Sequence, residues 1–329
     1  MPLPEQASSE QTLEKEHPAI QAWLRLWPGS SESGEVMLLT ETGKSAVYKL
    51  NGLGPHGTDI VAKRCNPRTG YLESVIYNEI LCRLPMPSLR CYGFLEDHDG
   101  ALGWLFLEDG GTTGIADQNE SLGAALACWL GTLHTSASSL VSLGHLPDRG
   151  PAFFLVTLRC ARERLRKSFP HLEASSEDWK VLEGLLACLD ALEAAWHRIV
   201  ERCETLPWTL VHCDLRSKNI LMRPAPGGIA FLPLDWEFAG WGPPAADLDG
   251  IDCYSYWASI RKMWPGVELR CIEEQACCGT LFQLLAAVGW EMERLVSGAA
   301  ERAVRRLRIY APSMSASTLA LGVKVKANA

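Results

Sequence analysis

Residues 210–221 (LVHCDLRSKNIL) and residues 231–237 (FLPLDWE) decide how the rest of this chain is interpreted. In the first stretch two apolar runs flank a polar loop, which predicts a strand, a loop and a returning strand; the second stretch is an apolar run that ends at a carboxylate. Asp214, Asn219 and Asp235 are therefore expected at strand ends. Asp214 can orient a hydroxyl group and accept its proton, while Asn219 and Asp235 can hold Mg²⁺ through oxygen ligands. Phosphoryl transfer requires such a set, because its catalysis consists mostly of positioning and of neutralising negative charge.

The order and spacing of these residues resemble a known pattern. His212-x-Asp214, an Asn five residues after the Asp and a second Asp after an apolar run are similar to the catalytic and metal-binding loops of small-molecule kinases of the aminoglycoside phosphotransferase and choline kinase type. Either half alone would also fit a surface turn built from turn-forming Asp and Asn. The resemblance covers roughly residues 33–300. It implies an α+β, two-lobed protein-kinase-like fold, with a small antiparallel β-sheet lobe and a large, mainly helical lobe.

The resemblance also implies cofactors and roles. ATP would be the phosphoryl donor and Mg²⁺ the metal, with Asn219 and Asp235 as metal ligands and Asp214 as the catalytic residue. Arg216, where related kinases often carry Lys, would contact the transferred phosphoryl group. The chain departs from the family at Cys213, where glycine is usual, and the bulkier side chain is expected to alter the packing of the loop.

Punctuation by Gly, Pro and polar residues predicts three segments along the chain. These are an N-terminal extension (1–32) with a short helix, a nucleotide-binding small lobe (33–110), and a catalytic and acceptor-binding large lobe (111–329). The small lobe would contain five antiparallel strands and one helix, Tyr71–Leu84. Glu108-Asp109-Gly110-Gly111 ends its last apolar run and is a plausible hinge. The predicted strands are Glu35–Thr40, Ala46–Leu50, Asp59–Arg64, Arg90–Leu95 and Leu102–Leu107.

A lysine in the third of these strands is the candidate phosphate-binding cation. Lys63, in the sequence Val-Ala-Lys, matches the strand lysine that binds nucleotide phosphates in kinase-like folds. A helical carboxylate would hold its ammonium group. Glu79 is the predicted partner, because the pattern Glu-Ile-Leu-x-x-Leu that it opens matches the family better than the rival Glu73 does.

Two loops could bind the nucleotide, and a third is set aside. At the hairpin tip Glu41–Ser45, Ser45 and backbone amides would cover the phosphates, with a solvent-exposed turn as the alternative. At the hinge, Glu108 and Asp109 would flank the adenine, which the family binds through backbone groups. Residues 52–57 spell G-x-G-x-x-G, but a strand follows them instead of a helix, so an ordinary glycine turn is the better interpretation.

After the hinge, apolar residues recur at helical spacing, which predicts a helical core. His134 is interpreted as a structural histidine, and Asp247 is expected to tie the catalytic loop together, as in the family. Ser175 begins a capped helix that is predicted to run to about Cys203. The other predicted helices are Ser121–Ser136, Phe153–Lys167, Asp252–Arg261, Glu268–Glu274, Gly279–Leu295 and Ala300–Tyr310, with no strong pattern after Ala311.

Composition excludes several classes of protein. The chain has 329 residues, 47% of them hydrophobic and 21% charged, which is ordinary for a globular protein. It has no run of eighteen apolar residues, so no membrane span is expected, and the acidic, polar stretch Met1–Glu16 does not resemble a secretory signal. Twelve scattered cysteines without a C-x-x-C pair predict unpaired thiols in a reducing cytoplasm. The net charge of −8 disfavours nucleic acid as a partner.

These observations lead to one functional hypothesis and its alternatives. We expect an ATP-dependent kinase that acts on a hydroxyl group of a small molecule, since no Ala-Pro-Glu follows Asp235 to build a peptide-binding segment. Residues 235–300 carry ten acidic and four basic side chains, a balance that suits a cationic acceptor such as an aminoglycoside antibiotic. Choline, a sugar or another natural product remains open, as does a non-catalytic pseudokinase scaffold. The candidate acceptor contacts are Glu237, Asp249, Asp252 and Tyr254.

Overall fold

The computed structural model describes residues 17–30, 34–98, 100–111, 120–140, 146–172, 175–226, 228–296 and 299–325. Met1–Glu16, for which the sequence predicts no regular structure, lies outside the described residues. The chain divides into two compact units. The first, which we call the sheet unit, comprises Met1–Ala116 with Arg216–Phe238; the second, the helical unit, comprises Asp117–Leu215 with Ala239–Ala329. A small antiparallel sheet and a large helical portion confirm the predicted α+β fold class.

The sheet unit is built on five antiparallel strands in the order β1-β2-β3-β5-β4. All five strands lie within about one residue of the predicted positions, since Gly- and Pro-rich turns separate apolar runs in the sequence. A second hairpin, β7–β8, belongs to the same unit, and its first strand packs against the end of β5 at Gly110. The strands of this unit are β1 (Val36–Glu41), β2 (Ala46–Leu50), β3 (Ile60–Cys65), β4 (Cys91–Glu96), β5 (Gly103–Glu108), β7 (Ile220–Ala225) and β8 (Gly228–Pro233).

Helix α1 (Pro18–Leu26) packs into the core of the sheet unit. His17 caps it, and Pro18 occupies its first turn, where proline is favoured. Ile20 and Trp23 are fully buried, and the Trp23 indole donates a hydrogen bond to the carbonyl of Leu53. This helix, assigned from the sequence to an N-terminal extension, is therefore part of the core that supports the sheet.

Helix α2 (Pro67–Val75) begins four residues before the predicted start. Asn66 accepts a hydrogen bond from the backbone of Arg68 and Pro67 is the first helical residue, so the start carries both a capping side chain and the favoured proline. The helix continues through a π-helical turn, Ile76–Ile80, and a 3₁₀ turn, Leu81–Arg83. The earlier start decides which carboxylate faces the sheet.

The helical unit contains a short two-stranded sheet and seven α-helices among the residues that the structure describes. Its elements are α3 (Glu120–Ser138), α4 (Pro151–Ser168), α5 (Ser176–Ala194), α6 (Trp196–Cys203), β6 (Thr209–Val211), β9 (Gly240–Gly242), α7 (Cys253–Ile260), α8 (Leu269–Val296) and α9 (Ala300–Ala320). A large apolar core joins α4, α5, α6, α8 and α9. Within the described ranges, no helix has an apolar stretch long enough to cross a bilayer.

In the helical unit, three further helices differ in extent from the sequence prediction. The helix capped by Ser175 ends at Ala194, because the backbone of Ala195 is not helical. The chain continues as α6, and Leu192 of α5 and Trp196 of α6 lie in the same apolar core. The predicted gap before Gly279 does not exist: α8 is continuous. Helix α9 continues past Pro312, since a proline removes one hydrogen bond while the buried residues Met314 and Thr318 hold the next turns in place.

Candidate active site

Lys63 on β3 lies between two carboxylates of the sheet unit. Its ammonium nitrogen is 2.6 Å from Glu73 Oε1 on α2 and also contacts Asp235 Oδ1, which follows β8. The Lys63 side chain is 12% exposed and that of Glu73 only 1%, so this is a nearly buried ion-paired group. Glu73 Oε2 is buried and has no hydrogen-bond partner among the described residues.

Within this group, burial and the charges of the ion-pair partners shift the pKa of Lys63 and of Glu73 in opposite directions. Burial lowers the pKa of Lys63, but Glu73 and Asp235 raise it more, so its net pKa is above the ordinary value and the ammonium stays charged. Burial is also the largest influence on Glu73, whose pKa rises to about 7 although Lys63 opposes the rise. A buried cation that holds two carboxylates is suited to binding an anion that can replace one of them.

The predicted partner of Lys63 was wrong: the structure pairs it with Glu73, and Glu79 is exposed. Six residues of helix turn a side chain by roughly 240°, so two carboxylates at this spacing cannot both face the same strand. The Asn66-Pro67 helix start was the missed sequence signal. It places Glu73 in the second turn, directly after β3.

Asn219 and Asp235 meet at one end of the β7–β8 hairpin. Ile220 pairs with Pro233 in the hairpin register, and the backbone amide of Leu234 donates to the carbonyl of Asn219 over 2.8 Å. The sixteen residues between Asn219 and Asp235 are thus mostly hairpin. Asn219 is buried, and Asp235 has a φ of 65°, a left-handed conformation that Asp tolerates better than most residues. An amide and a carboxylate oxygen form a donor set that fits Mg²⁺.

In the helical unit, Asp247 holds the backbone of the loop that carries Asp214. Its Oδ2 accepts a hydrogen bond from His212 N and its Oδ1 one from Cys213 N, both over 2.7 Å. His134 Nε2 lies 3.3 Å from Asp247 Oδ2, and its Nδ1 lies 2.8 Å from the Tyr256 hydroxyl. Both His134 and Asp247 are buried, which confirms the structural roles predicted for them.

Cys213 and Asp214 lie two and three residues after the end of β6. Asp214 is 4% exposed, and its amide donates to His212 Nδ1 over 3.3 Å, so that nitrogen acts as an acceptor. Cys213 has a φ of 64°. Burial, followed by the charge of Asp247, raises the pKa of the Cys213 thiol well above its usual range, so it stays protonated and is not a nucleophile. The carbonyl of Cys213 accepts a hydrogen bond from Gln283 Nε2 over 2.9 Å, a contact that sequence reasoning missed.

At the predicted hinge the acidic side chains are engaged within the sheet unit. Glu108 forms an ion pair with Arg223 at 2.8 Å, and Asp109 one with Lys49, also at 2.8 Å. Hydrogen bonds from Lys49 to Asp109 and then to Asp59 raise the pKa of Lys49 to about 12. The backbone is engaged there too: the Glu108 amide donates to the Arg90 carbonyl over 2.8 Å, and the Asp109 carbonyl lies 3.5 Å from the Arg223 guanidinium. At the hairpin tip, the Ser45 hydroxyl lies 3.2 Å from the Thr42 hydroxyl, in a turn closed by backbone hydrogen bonds.

The candidate acceptor contacts do not form one cluster in either unit. Glu237 lies in the sheet unit, in the 3₁₀ turn after Asp235, where its charge helps to raise the pKa of Glu73. Asp249 accepts a hydrogen bond from Thr280, and Asp252 caps α7 by accepting from the amide of Tyr254. Tyr254 itself is 63% exposed. Asp249 and Asp252 thus contribute to local structure, whatever else they bind.

Arg216 opens the segment of the sheet unit that contains Asn219. Its carbonyl accepts a hydrogen bond from the Asn219 amide over 2.8 Å, which closes the 3₁₀ turn before β7. The backbone of Arg216 is extended, with a φ of −108°. Arg216 therefore closes the turn through which Asn219, the candidate metal ligand, leads into β7.

Comparison with known proteins agrees with this architecture. A family model described as a phosphotransferase enzyme family matches residues 54–269, well over half of the chain. A comparison of the sequence with curated proteins finds no match. All of the residues discussed from Lys63 to Asp252 lie within the matched range, whereas α1, β1, most of α8 and α9 lie outside it.

Several solved structures share the fold. The GDP and kanamycin complex of APH(2″)-IIIa has a TM-score of 0.65 at 14% identity, over 90% of this chain and 97% of that one. Choline kinase from Cryptosporidium parvum has a TM-score of 0.61 at 12% identity, over 91% and 93%. A ternary complex of the aminoglycoside phosphotransferase APH(4)-Ia with AMP-PNP and hygromycin B has a TM-score of 0.55 at 15% identity, over 90% and 97%. At these identities the likeness establishes a common fold.

Proposed function

Because the chain belongs to the phosphotransferase enzyme family, we propose that it transfers the γ-phosphoryl group of ATP, with Mg²⁺, to a hydroxyl group of a small molecule. One observation carries the proposal: Lys63 is held by Glu73 and Asp235, and Asp235 follows the hairpin that begins at Asn219. A scaffold that binds no nucleotide would not need a buried cation, a carboxylate and an amide in that arrangement.

In the proposed reaction the two units have different tasks. Asn219 and Asp235 would hold Mg²⁺, which neutralises charge on the nucleotide phosphates when bound. Lys63 would bind the same phosphates while Glu73 keeps its ammonium in place. Arg216 would contact the transferred phosphoryl group, Ser45 would cover the phosphates, and backbone groups at Glu108 and Asp109 would bind the adenine.

Asp214 would orient the acceptor hydroxyl and take its proton late in the transfer. Orientation of two reactants can remove about 7–11 kcal/mol from a barrier, and general-base assistance adds roughly 10²–10⁴-fold in rate. Positioning therefore outweighs proton transfer in this scheme, which agrees with the number of contacts that hold the Asp214 loop.

An aminoglycoside or similar amino sugar is our first choice of acceptor. The acidic balance of residues 235–300 supports a cationic ligand, and two solved structures of similar fold are complexes with kanamycin and hygromycin B. Glu237, Asp249, Asp252 and Tyr254 remain candidate contacts. Such an activity would confer antibiotic resistance in the cytoplasm, where ATP and reduced thiols occur together. The choline kinase likeness keeps amino alcohols, and more widely sugars and other natural products, as alternatives.

The test combines nucleotide binding with turnover. Thermal unfolding with ATP and Mg²⁺ reports binding, and a coupled assay of ADP release across aminoglycosides, choline analogues and sugars reports transfer. Asp214→Ala should lower kcat by at least about 10³-fold while leaving the ATP-dependent shift in Tm unchanged. Glu183→Ala, which removes an exposed carboxylate on α5, is the matched control. A Tm shift without turnover on any acceptor would favour the pseudokinase scaffold, and unchanged turnover in Asp214→Ala would refute the proposed role.

A further inference from the structure

One face of α8 docks onto the segment that carries Asp247. Gly279 allows the closest approach, since a β-carbon there would lie 2.3 Å from the carbonyl oxygen of Ala245. One turn earlier, Gln275 is fully buried; its Oε1 accepts from the Ala245 amide over 2.9 Å and its Nε2 donates to the Arg202 carbonyl over 3.1 Å. Residues four apart share a helix face, so Gln283 continues the same row.

Gln283 extends this row to the catalytic loop. Its Nε2 donates to the carbonyl oxygen of Cys213 over 2.9 Å and lies 3.5 Å from the carbonyl of Ala246. The amide of Cys213 already donates to Asp247 Oδ1. Both polar backbone groups of Cys213 are therefore held by side chains from elsewhere in the helical unit. Because the Cys213 carbonyl belongs to the peptide bond that leads to Asp214, its orientation determines where Asp214 begins.

The conformation of Cys213 explains why such anchoring is needed. Its φ of 64° lies in the left-handed region, where a β-carbon crowds the backbone and glycine is favoured. Residues held there persist only when the surrounding structure imposes the conformation. Without an anchor on the carbonyl, the Cys213–Asp214 peptide would rotate toward a more favourable region, and the Asp214 carboxylate would turn away from its position.

We propose that Gln283 is a positioning residue, which holds Cys213 in its left-handed conformation and thereby aims the Asp214 carboxylate at the acceptor hydroxyl. The inference rests on the proposed function in one respect, the role of Asp214. Gln283 lies on α8 beyond the residues that the family model matches, so this contact belongs to the helix that follows the matched core.

The experiment is a double-mutant cycle between positions 213 and 283. Gln283→Met keeps the length of the side chain and removes the amide; it should lower kcat about tenfold, or about 1.4 kcal/mol in the barrier, with KM for ATP within about twofold. Cys213→Gly makes the left-handed conformation accessible without an anchor. The double variant Cys213→Gly/Gln283→Met should therefore turn over within about threefold of Cys213→Gly alone.

Gln275→Met supplies the matched control, because the same substitution on the same helix removes contacts to Ala245 and Arg202 but none to the catalytic loop. Gln275→Met should lower Tm, and adding Cys213→Gly to it should not restore the lost Tm. A purely structural role for Gln283 would give the same pattern as Gln275. Equal losses of kcat from Gln283→Met in both backgrounds would thus overturn the proposal.

Hydrogen–deuterium exchange provides a readout that does not depend on turnover. The amides of His212, Cys213 and Asp214 are all hydrogen-bonded, so they should exchange slowly. Gln283→Met should accelerate their exchange about tenfold, and Cys213→Gly in addition should restore it. If the wild type transfers phosphoryl to no acceptor but shows this exchange pattern, the proposed function fails while the anchoring of the loop stands. Unchanged exchange in Gln283→Met would overturn the anchoring itself.

Discussion

The candidate residues of the sheet unit and those of the helical unit are held by different interactions. In the sheet unit, Lys63, Glu73 and Asp235 come from three separate elements and are joined by ion pairs between side chains. In the helical unit, the Asp214 loop is held through its backbone, by the side chains of Asp247 and Gln283. The first arrangement depends on charge and responds to pH, whereas the second depends on hydrogen-bond geometry and responds to changes in shape.

Among the tests that compare the two units, the largest effect is expected where the charge of Lys63 is removed. Lys63→Met should lower kcat/KM for ATP by at least about 10²-fold, because in the proposed reaction it removes the cation that would bind the phosphates, and it leaves Glu73 buried without a partner. Steady-state kinetics with varied ATP would measure it. Lys49→Met is a matched control, since Lys49 also pairs with two carboxylates but is more exposed. Similar losses in both variants would show that ion pairing in general, and not Lys63, matters.

Removing the charge that holds the Asp214 loop should lower the stability of the fold. Asp247→Asn replaces one accepting oxygen with a donor amide facing a backbone N–H, in a buried site, and should lower the free energy of unfolding by about 2–4 kcal/mol. Chemical denaturation would measure the change. Asp249→Asn, whose hydrogen bond to Thr280 is exposed, should cost less than about 0.5 kcal/mol. A loss in Asp247→Asn no greater than in this control would contradict the anchoring role.

The pH dependence of stability separates Glu73 from Glu79. The pKa of Glu73 rises from 4.5 to about 7 on folding. The stabilising contribution of its protonated form to the free energy of unfolding is therefore fully present below pH 4.5 and is lost as pH rises through 7. Relative to Glu79→Gln, Glu73→Gln should therefore gain about 1–3 kcal/mol of unfolding free energy between pH 4.5 and 7.5. Parallel stability curves for the two variants would contradict the buried state of the Glu73 carboxylate.

The smallest effect is expected at the hairpin tip. Ser45→Ala removes a hydroxyl that contacts Thr42 at the surface, so the free energy of unfolding should change by less than about 0.5 kcal/mol. If Ser45 covers the phosphates, KM for ATP should rise by about threefold, the loss of one hydrogen bond. Thr42→Ala disturbs the same turn without removing the Ser45 hydroxyl and serves as the control. An unchanged KM in Ser45→Ala would assign the tip to a solvent-exposed turn.

Much of the fold followed from local patterns. The five strands of the sheet appear as short apolar runs between turn residues, and their predicted positions are confirmed. The capping box of α5 is also readable, because Ser175 and Asp178 stand three residues apart and satisfy each other's backbone amides. Such features depend on neighbours in sequence, and therefore need no knowledge of the partners that fold against them.

Two predictions were wrong: the helix start at Gly279 and the choice of Glu79 as the partner of Lys63. The sequence predicts that a helix begins at Gly279, yet Gly279 lies inside the continuous α8, at a point where the Ala245 carbonyl leaves no room for a side chain. Glu79 matched a family pattern, but Glu73 forms the ion pair with Lys63, because α2 begins at Pro67 and turns the Glu73 carboxylate toward β3. For Gly279 the deciding atom lies far away along the chain, so no local preference reveals it, whereas for Glu73 the Asn66-Pro67 helix start was a local signal that the prediction overlooked.

For this protein, the sequence by itself determined the identities and order of the candidate site residues: a strand lysine, an Asp and Asn in one loop, and a second Asp after an apolar run. Only the tertiary structure decided how they are held. Lys63 is paired across 172 residues with Asp235, and Cys213 is anchored by Gln283, 70 residues away. The chemistry of a side chain depends on its residue type, which can be read from the sequence. An ion pair or a backbone anchor depends on distances between atoms, which exist only once the chain has folded.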